Sequence, residues 1–120
     1  LEAARLLGCT TAEVQAQRLV AAQTLADQLQ STIVLKGSGS IIASPGHTPH
    51  INPTGNARLA IGGTGDVLAG LVAARWHPGT DSHSVACHAT WEHGALADQW
   101  PTQQALTASA LAQAQLTPFQ

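Results

Sequence analysis

The chain has 120 residues, of which 44% are hydrophobic and 10% charged, and its formal net charge is −2 with the histidines neutral. Those values fit one globular domain and exclude a disordered or strongly charged tail. No block of Lys and Arg offers the clustered charge that nucleic acid requires, and no apolar run approaches the roughly 20 residues of a membrane span.

Alanine supplies much of the apolar content and only 3% of residues are aromatic, which predicts small-residue helices packed closely on something flat. The chain opens abruptly on an apparent helical turn, "LEAARLLG", without Met or a signal-peptide layout, as a fragment of a longer protein would. Thr10 and Glu13 have capping-box spacing, and Val14, Ala21, Ala22, Leu25 and Leu29 follow on one face, predicting a helix over 11–30. "TIVLK" (32–36) reads as a short buried strand, "GSG" as a turn and "SIIAS" as a second strand. Pro45-Gly46 turns the chain again, and "HINPTGN" reads as a short strand followed by a loop. Val67, Leu68, Leu71 and Val72 then recur at helical spacing until Pro78-Gly79. Asp81 or Ser82 caps the next helix, with Val85, Ala89 and Leu96 facing inward and Gly94 weakening its middle. Thr107 caps a last helix, "ASALAQAQL". Helix, strands, then helices predict a layered α/β or α+β domain over 1–120.

The stretch "AIGGTGDVLAG" (60–70) carries the chemistry. Residues 62–66 read as a strand-to-helix junction. The bland reading is a tight connection that lets a strand and a helix pack. The functional one is an anion site, because the first N–H groups of a helix have no partner within it and the dipole adds positive potential. Glycines leave those groups open to an oxyanion or phosphate. Neither a Walker A loop nor a dinucleotide fingerprint fits: Asp66 follows Gly65 where the first needs Lys, and Leu68 and Ile42 stand where the second needs Gly or Ala. Asp66 in the first helical turn is placed to accept a proton from a substrate hydroxyl beside donors for a transferring phosphoryl group.

"NPTGNARLAIGGTGDVLAGLVAA" closely resembles the signature of the ADP-dependent NAD(P)H-hydrate dehydratases, of the ribokinase-like superfamily. "VLKGSGSIIASP" resembles their second motif, with Ser40 keeping the hydroxyl of the usual Thr, while "EAARLLGCTTAEVQAQR", "WEHGALAD" and "LTASAL" fit further segments. The resemblance implies a three-layer α/β ribokinase-like fold, of which this chain is the C-terminal portion with a truncated sheet. It implies repair of hydrated NADH and NADPH: a nucleotide, ADP or ATP with Mg²⁺, phosphorylates the ring hydroxyl, and phosphate then leaves to restore the double bond. By position, Asp66 is the base and contacts the hydrated cofactor, and Gly63, Thr64 and Gly65 line the anion hole. Gly65 also contacts the AMP part of the nucleotide, together with Lys36, Gly37, Ser38, Gly39 and Ser40. Asn52 and Asn56 match family positions as loop-shaping residues and possible contacts. Family members are roughly twice as long, which implies a homo-oligomer or association with an N-terminal half. A hydroxyethylthiazole kinase-like enzyme of the same superfamily and an inert nucleotide-binding fragment are the competing readings.

Cys9 and Cys87 are too few for a disulfide framework, so a reducing cytoplasm is expected. His88 and Glu92 share a helix face beside His93, but the ligand count and spacing fall short of a zinc site. His47 and His50 read as solvated. Trp76, Trp91 and Trp100 read as packing residues near helix ends.

Overall fold

The computed structural model of the chain describes residues 1–115, so Leu116 of the predicted last helix lies outside them. The chain forms two compact units, Leu1–Asn52 and Pro53–Gln120.

In the first unit, helices α1 (Glu2–Leu7), α2 (Thr11–Ala16) and α3 (Arg18–Leu29) precede strands β1 (Ile33–Leu35), β2 (Ile41–Ala43) and β3 (His50–Ile51). The capping box forms: the Glu13 N–H donates to Thr10 Oγ1 at 3.1 Å and the Thr10 N–H to Glu13 Oε2 at 2.7 Å. The single helix expected over 11–30 is instead broken at Gln17, whose φ of −142° and ψ of 61° end α2 and start α3. The break lets two faces serve two clusters. Val14 and Ala21 pack with Ala4, whereas Ala22 and Ala26 pack with Ile41 and Ala43 of the sheet. Leu29, expected on the inner face, is exposed.

The strands run antiparallel in the order β1-β2-β3, with Val34 opposite Ile42 and Ile41 opposite Ile51. This meander needs only short turns, which is why Gly39 and Gly46 fall between strands. Only central β2 is fully buried. Strand β1 is half-buried, not buried as its composition predicts, and β3 is exposed, because both are sheet edges. The close approach of α3 to the sheet follows from alanine: Ala22, Ala26 and Ala43 are wholly inaccessible.

The second unit is helical. A 3-10 turn (Ala57–Leu59) leads to α4 (Thr64–Arg75), α5 (Ser82–Asp98) and α6 (Ala108–Gln115). Asp81 caps α5 through the Ser84 N–H at 3.2 Å, and Thr107 caps α6 through the Ala110 N–H at 3.1 Å. Arg75 pairs with Glu92 at 3.0 Å and joins α4 to α5. The Asp98 carboxylate accepts from the Gly55 N–H and from Asn56 Nδ2, each at 2.9 Å, so the foot of α5 holds the 53–56 loop. Arg58 donates to the carbonyls of Trp100, Pro101 and Gln104.

Gly94 corrects its reading as a mere weak point of α5. A Cβ there would sit 2.6 Å from the Thr54 carbonyl carbon and 2.8 Å from the Gly55 nitrogen, so the missing side chain admits the loop. Trp91 lies in mid-helix rather than near an end, and both Trp91 and Trp76 are largely exposed rather than packed.

Candidate functional site

The start of α4 is built by one glycine in a left-handed conformation. Gly63 caps the helix with φ 93° and ψ −15°, a conformation that side chains with a Cβ rarely adopt. A Cβ at Gly63 would also meet the Ala108 Cβ at 2.9 Å, so α6 comes up against this turn. The sequence reading assigned the glycines to ligand approach, and for Gly63 the closest approach is made by the protein itself. The element before the junction is the 3-10 turn, not the strand expected there, because Asn56 caps that turn by accepting from the Arg58 N–H at 2.9 Å.

The first bond of α4 runs from the Val67 N–H to the Gly63 carbonyl at 3.0 Å. The N–H groups of Thr64, Gly65 and Asp66 therefore have no carbonyl within the helix. Gly62, Gly63 and Asp66 are exposed, so this end of the helix is open on their side. The Asp66 carboxylate stands in the first turn, where negative charge is favoured by the dipole. Thr64 faces the other way. It is buried, and its hydroxyl donates to the Leu59 carbonyl at 2.6 Å, so its part in any anion hole is limited to its N–H.

His93 is a residue that sequence reasoning left without a role. Instead of joining His88 and Glu92, it is buried and its Nε2 lies 2.9 Å from the Thr64 carbonyl. A carbonyl only accepts, so Nε2 carries the proton and donates. Because the N–H of a trans peptide points opposite its carbonyl, this bond also steadies the Gly65 N–H at the helix opening. Burial holds the His93 pKa below the ordinary histidine range, against the smaller opposing effect of the Thr64 hydrogen bond. The unfolded chain therefore takes up a proton more readily than the folded one. Stability is full above the unfolded value of about 6.5 and is lost as the pH falls below it towards the lowered folded value. Thermal melts from pH 8 to 5 should show that decline, and His93→Gln, which cannot take the proton, should flatten it. An unchanged slope in His93→Gln would assign the decline to other groups.

The second predicted segment, residues 36–40, lies in the first unit, between β1 and β2. Lys36 is exposed at the strand end. The Ser40 hydroxyl accepts from the Gly37 N–H and donates to the Gly37 carbonyl, both at 3.2 Å, closing the loop on itself. The buried Asn52 donates its N–H to the Ser40 carbonyl at 2.8 Å. Arg18, unassigned by sequence reasoning, reaches this loop from the start of α3, donating to the carbonyls of Ser38 (2.7 Å), Leu35 (3.2 Å) and Gly39 (3.3 Å). A lone Arg in a helical pattern gives no signal of that role.

A groove of about 400 Å³ lies at the far end of α4, lined by Arg75, Val85, His88, Ala89, Trp91 and Glu92. Among the described residues no three His, Cys, Asp or Glu side chains are placed to hold a metal ion. Burial, and next the charge of Asp81, raise the Cys87 thiol pKa and keep it protonated. Among the described residues no helix is long and apolar enough to cross a membrane.

The start of α4 thus combines unpaired N–H groups at a glycine-opened helix with an exposed carboxylate, an arrangement that can receive an anion. The model of one family, described as NAD(P)H-hydrate dehydratase, matches residues 1–117. The ADP-dependent (S)-NAD(P)H-hydrate dehydratase of Neisseria meningitidis serogroup B is 41% identical over 111 residues, covering 92% of this chain and 38% of that protein. The bifunctional NAD(P)H-hydrate repair enzyme Nnr of Escherichia coli is 41% identical over 97 residues, covering 81% of this chain and 19% of that protein. A crystal structure of the Bacillus subtilis ADP/ATP-dependent NAD(P)H-hydrate dehydratase, co-crystallized with ATP and Mg²⁺ and soaked with CoA, is 35% identical. It superposes with a TM-score of 0.80 over 94% of this chain and 43% of that one. The chain belongs to the NAD(P)H-hydrate dehydratase family, and it spans well under half the length of these relatives.

Proposed function

We propose that the chain is the C-terminal, nucleotide-binding part of a cytoplasmic ADP-dependent NAD(P)H-hydrate dehydratase that returns hydrated NADH and NADPH to their working forms. The observation that carries this reading is the start of α4: three N–H groups without helix partners beside the exposed Asp66, on a chain of this family. In the proposed reaction Asp66 accepts the proton of the ring hydroxyl as that oxygen attacks the terminal phosphoryl group of ADP, releasing AMP. The N–H groups of Gly63, Thr64 and Gly65, of which the last two lack a carbonyl within the helix, offset the charge that builds on the phosphoryl oxygens. The C–O bond then breaks, phosphate leaves, a proton departs from the neighbouring carbon and the double bond returns. Lys36 and the 37–40 loop hold the nucleotide, and Asn52 and Asn56 each shape the loop in which they stand. Mg²⁺ would neutralise phosphate charge. Asp66, the carboxylate in the first turn of α4, is the residue of this segment that would hold Mg²⁺ together with the nucleotide's own phosphates.

Adding ADP, Mg²⁺ and hydrated NADH and following NADH absorbance tests the reading. NADH recovery supports it. ADP consumption with accumulation of a phosphorylated product points to a kinase of the superfamily, and ADP binding without turnover to an inert nucleotide-binding part. Association, with a second copy or with an N-terminal part of the kind the relatives carry, belongs to the same proposal. Leu6, Val20, Trp76 and Trp91 are large apolar residues left exposed, and β1 and β3 are unpaired sheet edges. Sedimentation at low micromolar concentration should find a species heavier than 12.3 kDa. A compact monomer with a sharp melt would refute association with itself.

A further inference from the structure

We propose that Arg18 is the positioning residue that shapes the 36–40 loop into an anion-binding nest for the nucleotide's phosphates, an inference that rests on the nucleotide reading above. The guanidinium gathers three backbone carbonyls, of Leu35, Ser38 and Gly39, on one side of the loop. In a trans peptide the following N–H points the opposite way. Turning the Ser38 and Gly39 carbonyls onto Arg18 therefore turns the N–H groups of Gly39 and Ser40 away from it. Among the described residues neither of those N–H groups has a hydrogen-bond partner. Gly39 sits at φ +67°, and consecutive N–H groups around such a residue form the concavity that anions occupy.

Gly37 is part of the same device. A Cβ on it would fall 2.7 Å from Arg18 Nη2 and 3.2 Å from Cζ, so the first glycine of "KGSG" makes room for the guanidinium rather than for a ligand. The fork also explains the choice of Arg. Its planar array of donors satisfies three carbonyls at once, whereas an ammonium is a point charge on a flexible stem. The positive charge behind the loop adds to the potential felt by a phosphate in front of it.

The test follows ADP with Mg²⁺ on the ¹⁵N-labelled chain. In the native chain the Gly39 and Ser40 amide signals should move on titration and saturate. Arg18→Met, which keeps the packing of the stem, should need about tenfold more ADP for the same shift. Arg18→Lys should fall between, with signals from β2 unchanged in both variants. Native ADP affinity in Arg18→Lys or Arg18→Met overturns the proposal. So does a native chain that binds ADP without moving those two amides, and so does one that binds no ADP at all. The dehydratase reading stands or falls separately, on NADH recovery: ADP shifts at Gly39 and Ser40 without recovered NADH would sink that reading and leave the role of Arg18 intact.

Discussion

Gly94→Ala is expected to destabilise the chain by about 3 kcal/mol, the upper scale of forced overpacking in a well-packed interior. Helix propensity alone predicts the opposite sign, since alanine in mid-helix is favoured over glycine by roughly 1 kcal/mol. The structure decides between them. The added methyl would lie 2.6 Å from the Thr54 carbonyl carbon and 2.8 Å from the Gly55 nitrogen, and these are backbone atoms that cannot rotate aside. The loop is also tied to α5 at both ends of the contact, through Thr54 Oγ1 to the Trp91 carbonyl at 2.9 Å and through Gly55 N–H to Asp98 at 2.9 Å. Relief therefore requires breaking at least one of those bonds. Urea unfolding of the two proteins measures the difference. A variant as stable as the native chain, or more so, would mean that the 53–55 loop does not rest on α5 in solution.

Made in the full-length protein, Asp66→Asn is expected to lower turnover by about 100-fold or more, the usual scale for a lost general base, while leaving ADP binding largely in place. Asparagine keeps the shape and sits as well in the first turn of α4, but it cannot take the proton of the attacking hydroxyl. The Asp66 side chain is exposed and carries none of the hydrogen bonds that shape the turn, which fall to Thr64 and His93. Losing its charge beside the helix dipole costs about 0.3–1 kcal/mol, too little to unfold the unit. NADH recovery at saturating ADP, with a parallel melt, checks both halves. Near-normal turnover would make Asp66 a partner of the helix dipole and nothing more.

The parts of this protein that were legible in the sequence are those decided within a few residues of themselves. Thr10 with Glu13, Asp81 and Thr107 are caps, and each bonds an N–H within three positions. The strands around "IVL" and "IIA" show as short apolar runs between turn residues, and the start of α4 shows as glycines running into helical periodicity. The "GGTGD" stretch, read against a known family, also indicated the chemistry.

Other features depended on partners distant in the chain. Nothing local marks Gln17 as a break, which exists because Val14 and Ala22 pack against different clusters. Nor does periodicity distinguish a buried strand from a half-buried edge, because that depends on how many neighbours the strand pairs with. His93 shares its helix with His88 and Glu92, yet packing turns it to the Thr64 carbonyl.

From the sequence by itself came the family, the helix caps and the carboxylate at a helix start, since these rest on local bonding and on order along the chain. Tertiary structure decided what the glycines are for. Gly37 admits Arg18, Gly63 admits Ala108 and Gly94 admits Thr54 and Gly55. The physical reason is that a missing Cβ leaves no mark in a sequence of what occupies the space, and only a packed neighbour from elsewhere in the chain defines it.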